Sequence, residues 1–143
     1  MNKSSVLLKR FKAITVFAII WNVLGVISYF FHVYMPKEAI EKLPEAEQLL
    51  YQNIPKWKTI TFFLATFGGF VGSILLYAKK KLAIGVLIVS LIGIIISFYY
   101  DFFLTNLLEV YGNESVVFPL LVVLIGMFLV WFSKKLDALN QLK

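Results

Sequence analysis

Apolar residues run almost unbroken through four stretches of this chain, near residues 11–34, 58–77, 82–104 and 116–132. Polar residues collect in the intervals between them. Each stretch approaches the roughly 20 apolar residues that an α-helix needs to cross a hydrocarbon core about 30 Å thick. The pattern predicts an all-α, polytopic membrane protein: four transmembrane helices in a bundle, forming one domain over residues 1–143.

The intervals predict further elements. Only residues 78–81 separate the second and third stretches, which therefore form a tight antiparallel hairpin. The interval 35–56 carries an apolar stripe, Ile40, Leu43, Leu50 and Ile54, at helical spacing. Pro36 and Pro44 suit first helical turns, where a missing N–H is no loss. Glu45 and Glu47 follow Pro44, where negative charge favours a helix N-terminus. A broken amphipathic helix is expected over 36–54, ended by Pro55. Residues 102–111 read as a helical continuation of the third stretch, closed by a turn at Gly112 and Asn113. Pro119 falls in the first turn of the fourth helix. The first and third stretches share short similarities, such as Ser28-Tyr29-Phe30-Phe31 with Ser97-Phe98-Tyr99-Tyr100, a weak sign of two parallel hairpin repeats.

Composition strengthens the membrane reading. Hydrophobic residues make up 60% and charged residues 15%, against about 45–50% and about 25% in a soluble domain. The basic start, Lys9, Arg10 and Lys12, resembles a signal peptide. The run behind it is longer than the about 7–15 residues of a signal core and ends in bulky aromatics, so a retained first helix is expected. There is no cysteine, which removes thiol catalysis and thiolate metal sites.

Charge then orients the chain. Lys3, Lys9, Arg10, Lys12, Lys79, Lys80, Lys81, Lys134, Lys135 and Lys143 fall on one side with a single acid, Asp137. The other side holds Lys37, Lys42, Lys56 and Lys58 with Glu38, Glu41, Glu45, Glu47, Asp101, Glu109 and Glu114. The excess of basic residues on cytoplasmic loops places both termini in the cytoplasm. The net charge of +6 sits at helix ends rather than on one continuous face, so nucleic acid is not an expected partner.

Candidate chemistry is sparse. Asn22, Gly25, Tyr29 and His32 share one face of the first helix, and Ser90, Gly93, Ser97 and Tyr100 share one face of the third. Polar groups in lipid turn inward, toward a neighbouring helix or a pathway. The two faces are expected to meet or to border one central crevice, with Asp101 capping it near His32. Asn22, Tyr29, His32, Ser90, Ser97 and Asp101 are thus the candidate polar pathway. Ala65, Gly68, Gly69, Gly72 and Ser73 on the second helix form two small-residue rows, which with Gly25 and Gly93 allow close backbone packing. Their partner helix is left open by the pattern. Acids and lysines are missing from the middles of the stretches, where pumps and proton relays place them. One histidine cannot build a histidine metal site. No enzyme activity, metal or cofactor is expected.

At Trp21-Asn22-Val23-Leu24-Gly25-Val26, Leu43-Pro44-Glu45-Ala46-Glu47, Pro55-Lys56-Trp57 and Phe67-Gly68-Gly69-Phe70-Val71-Gly72, the chain resembles a group of small bacterial four-helix membrane proteins often labelled "sugar transporter". The resemblance covers mainly the first half. It implies a protein of the bacterial cytoplasmic (inner) membrane that moves a small polar solute. It supplies no binding residues. Four helices enclose little volume, so a homodimer is an expected assembly. The alternative is a non-catalytic accessory subunit that binds another membrane protein.

Overall fold

The computed structural model describes residues 3–143. The side chain of Lys3, counted above in the basic tail, lies outside that description. Among the described residues the regular elements are helical: α1 (Lys3–Lys9), α2 (Phe11–Val33), α3 (Lys37–Ile40), α4 (Glu45–Tyr51), α5 (Lys56–Tyr77), α6 (Leu82–Phe103), α7 (Leu107–Tyr111) and α8 (Val117–Ala138), with a 3-10 turn at Asn113–Val116 before α8. Four segments are long and apolar enough to cross a membrane: α2, α5, α6 and Asn113–Ala138.

Local chemistry sets the ends. The Tyr34 N–H reaches Phe30 O at 3.0 Å and closes α2. Pro36 then forbids continuation, because it lacks an N–H and pushes Met35 out of the helical region. Pro36, Pro44 and Pro55 each stand immediately before a helix, α3, α4 and α5. The 36–54 segment is thus two short helices, and α5 begins at Lys56, ahead of its expected start. After α5, Lys79 adopts a left-handed φ of 56°. Its N–H bonds Leu76 O at 2.9 Å, and the Lys80 N–H bonds Leu75 O at 2.8 Å. This Schellman closure satisfies the last carbonyls and turns the chain into α6 within four residues. Asn140 (φ 53°) and Gln141 close α8 in the same way.

Residues 3–9 form a short helix joined to α2 through Arg10. Two further boundaries depart from the sequence reading. α6 stops at Phe103 instead of running outward to residue 111. Thr105 explains the break: its hydroxyl donates to Asp101 O and accepts from the Leu107 N–H at 3.2 Å, competing with helical bonding. α8 continues to Ala138 instead of ending near Phe132. Phe132, Ser133 and Leu136 form one buried face, so the helix persists past Lys134 and Lys135, which point outward.

α5 packs against α2 on one side and α6 on the other, and α6 packs against α8. The C-terminus, the start of α2 and the α5–α6 turn meet at one end, where Lys79 Nζ stands over the Phe11 ring at 5.3 Å. There the Lys143 backbone exchanges two 2.8 Å hydrogen bonds with Lys79 and Lys81, and Lys81 lies 3.2 Å from Asp137. We call this the basic end, and the opposite one the acidic end. Toward the basic end Phe11, Leu76, Leu87, Leu129, Phe132, Leu136 and Leu142 form the buried apolar core. At the acidic end, Tyr111 donates to Glu47 at 3.0 Å and ties α7 to α4.

Candidate functional site

The polar residues of α2 take two directions. Asn22 points to α5: its amide donates to Ala18 O at 2.8 Å and to Ser73 Oγ at 3.0 Å, and Ser73 donates onward to Gly69 O at 2.7 Å. The seat exists because residue 69 is glycine. A Cβ there would stand 2.0 Å from Asn22 Oδ1. Tyr29 turns elsewhere, into a cluster with Phe30, Phe62, Phe63 and Phe67 at centroid distances of 5.3–5.8 Å. It is buried there and does not border the cavity described below.

The α6 stripe faces α5. Ser90 donates to Ala65 O at 2.6 Å, and Ser97 Oγ lies 3.2 Å from Thr61 Oγ1. Gly93 fits against α5 backbone, where a Cβ would lie 2.8 Å from Thr61 O. Gly68 and Gly72 of α5 receive Ser90 and Leu87 of α6, while Gly69 and Ser73 receive Asn22 of α2. The small-residue rows therefore serve two partners, because α5 stands between α2 and α6. Gly25 is less confined, with Thr66 Cγ2 at 3.7 Å from its notional Cβ.

Asp101 does not take His32 as its partner. Its Oδ2 lies 2.6 Å from Nζ of Lys58, which also donates to Ser97 O at 3.0 Å. The Lys58 ammonium stands over the rings of Phe62 and Tyr100 at 5.7 and 5.6 Å. Its side chain is 6% exposed and that of Asp101 25%. Sequence reasoning counted Lys58 among the loop charges and missed it. The signal was present: Lys58, Thr61, Ala65, Gly68 and Gly72 repeat at three and four residues, so the small-residue face of α5 carries Lys58 at its acidic end. Ser90, Gly93, Ser97 and Asp101 form the matching row on α6. His32 sits beside the pair, its ring 5.1 Å from that of Tyr51 and 5.7 Å from Phe62.

These groups border a cavity of about 300 Å³ to which all four long helices contribute. Asn22, Ser28 and His32 come from α2, Lys58 and Thr66 from α5, Ser90, Ser97 and Asp101 from α6, and Phe118, Val122 and Ile125 from α8. The two polar stripes converge at Gly69, whose notional Cβ would lie 2.0 Å from Asn22 Oδ1 and 3.3 Å from Ser90 Oγ, and both border the cavity. Leu87 and Leu129, members of the apolar core, close it toward the basic end. A second cavity of about 180 Å³ lies under α3 and α4, lined by Ile40, Tyr51 and Ile54. His32, Lys58 and Phe62 border both and so form the partition between them.

Among the described residues there is no cluster of His, Cys, Asp or Glu that could hold a metal. The site offers hydrogen bonding, one compensated ion pair and apolar volume. The class of protein these features define is a helical chain with four candidate membrane spans that together border one cavity. No protein-family profile, curated protein or solved structure matches the chain.

Proposed function

We propose that this protein is a small, non-enzymatic transporter that takes a solute into the cavity among its four spans and passes it across the bilayer. The observation that carries the reading is the cavity of about 300 Å³ with contributions from all four long helices. Polar groups enter it at several depths, from Asn22 and Ser90 to the Lys58–Asp101 pair, while most of the wall is apolar. Small-molecule sites typically combine an apolar wall with a few placed polar groups. The spans form a four-helix bundle of a bacterial cytoplasmic membrane, with both termini and the Lys79–Lys81 turn in the cytoplasm and the acidic α3–α4 segment outside. Clustering of the C-terminus, the start of α2 and that turn at one end supports this arrangement, as does the excess of lysine and arginine there. The solute has hydroxyl-type polarity, as the sugar-transporter resemblance implies. The cavity lies within one chain, so binding requires no second copy. Association as a homodimer or with another membrane protein is a separate property, read from the particle mass in detergent.

The test is uptake of radiolabelled small sugars and polyols into proteoliposomes. Uptake above empty vesicles is expected, reduced by Asn22→Ala in a variant that keeps its helical circular dichroism. Uptake equal to empty vesicles, with a membrane protein co-purifying in stoichiometric amount, would replace transport by the accessory-subunit role.

A further inference from the structure

The cavity is not uniformly polar, and it is not enclosed on all sides. Trp21, Ile94, Phe118, Val122 and Ile125 make an aliphatic and aromatic body, whereas His32, Lys58 and Asp101 gather at one end. Leu24 of α2 and Phe118 of α8 border the cavity yet are 55% and 64% exposed. Phe118 lies at the start of α8, and its ring meets Trp21, near the middle of α2, at 6.1 Å. The Leu24 and Phe118 side chains thus line the cavity and reach the outer surface of the helices. The cavity therefore opens sideways between α2 and α8, toward the acyl chains if these helices span a bilayer.

The polar end has a defined chemistry. The Lys58 ammonium commits two of its three hydrogens, to Asp101 Oδ2 and to Ser97 O. Among the described residues, its third hydrogen, Asp101 Oδ1 and the His32 ring nitrogens have no hydrogen-bond partner. Asp101 cancels the lysine charge, so the end is both donor and acceptor without net attraction for an anion. A hydroxyl group, which donates and accepts at once, matches it; a phosphate or carboxylate would compete with Asp101 for Lys58. The volume stands at the low end of ligand pockets, about 300–1,000 Å³, and disfavours a two-chained lipid. Acyl chains gain little on moving from lipid to an apolar wall, so selection must come from the head.

The geometry points to a single-chain amphiphile with an uncharged, hydroxylated head as the cavity's ligand, reached from the bilayer between α2 and α8. The inference rests on the transporter reading and narrows its substrate class. The chain lies along Trp21, Val122 and Ile125, and the head hydrogen-bonds at Lys58, Asp101 and His32.

Trp21, in the cavity wall, is the reporter. Replacing Trp57 and Trp131 by Phe leaves it as the single tryptophan of the three. This full-length variant is reconstituted in phosphatidylcholine vesicles and titrated with a chain-brominated monoacylglycerol. Brominated phosphatidylcholine and brominated fatty acid serve as comparisons, at equal bromine mole fraction. Saturable quenching by the monoacylglycerol, in excess of both comparisons, is expected. Val122→Phe, which fills the body of the cavity, raises the half-saturating mole fraction. Asp101→Asn leaves Lys58 uncompensated, weakens the monoacylglycerol roughly tenfold, the scale of a lost charged hydrogen bond, and turns the preference toward the fatty acid. Quenching no greater than that by brominated phosphatidylcholine, a wild-type preference for the fatty acid, or indifference to Val122→Phe would overturn the proposal. Should Asp101→Asn fail to fold, Val122→Phe and the head-group comparison still decide. Sugar uptake without saturable quenching would sink the amphiphile and leave transport standing. Saturable quenching without flux of monoacylglycerol or sugar would retain the site and sink transport.

Discussion

Lys58 and Asp101 differ in how much water each keeps, and that asymmetry predicts unequal consequences of removing either one. The lysine side chain is 6% exposed and the aspartate 25%. Asp101→Leu strands an ammonium that has little water, at a cost on the scale of a broken buried pair, about 3 kcal/mol or more. Lys58→Met leaves a carboxylate that water still reaches, and destabilises less. The double variant Lys58→Met/Asp101→Leu should recover part of the loss. Thermal unfolding in detergent, followed by circular dichroism, checks the order; equal losses that add would refute the coupling. Tyr111 gives a prediction in pH. Burial first, and then its hydrogen bond to Glu47, push the phenol up to about 12 from 10.0. The neutral phenol is the favoured form, so its link between α7 and α4 contributes fully below about pH 10 and is lost as pH rises through about 12. Glu47→Gln should bring the tyrosinate absorbance transition of Tyr111 to lower pH, and an unchanged titration would show that the contact is not formed. Neither partner choice was legible one residue at a time. His32 was the expected neighbour of Asp101 because both close their helices at the acidic end. The rotation of α5 brought Lys58 there instead.

The helices themselves follow local rules, and these were readable. Three prolines stand directly before helix starts, and apolar runs of spanning length became α2, α5, α6 and α8. The glycines divide by what they face, which tests the packing of neighbouring elements. A Cβ on Gly93 would meet backbone atoms of α5 at 2.8 and 2.9 Å, whereas one on Gly85 would meet nothing within 4 Å. Gly93→Ala should force α5 and α6 apart and cost about 1–3 kcal/mol. Gly85→Ala should be neutral or stabilising by up to about 1 kcal/mol, since alanine is the better helix former. Thermal melts of the two variants compare them directly; equal melting temperatures would contradict the close α5–α6 approach. The small-residue rows marked α5 as a packing helix, but a row of glycines has no feature that names its partner. Only the position of α5 between α2 and α6 set Gly68 and Gly72 against α6 and Gly69 against both Asn22 and Ser90. α6 also escaped a purely periodic reading, because the Thr105 hydroxyl bonds locally and stops a helix whose apolar pattern would continue.

At the scale of the whole molecule, the two ends are chemically distinct, and this carries the proposed orientation. The chain has no cysteine, so single cysteines can report sidedness without background. In intact cells Glu38→Cys should react with a membrane-impermeant maleimide, and Lys80→Cys should react only after permeabilisation. The opposite result would invert the proposed topology. The number and approximate positions of the apolar spans, the tight turn between α5 and α6 and the segregation of charge were already legible in the sequence. These depend on residues close together in the chain, and length, periodicity and backbone chemistry are local properties. Only the tertiary packing shows that Tyr29 turns into the aromatic cluster, that Lys58 pairs with a residue 43 positions away, and that Phe118 of α8 meets Trp21 of α2. Each of these depends on the rotation and offset of whole helices. Lipid solvates all apolar faces alike, so hydrophobicity alone does not select which face turns inward; close packing and the pairing of a few polar groups do.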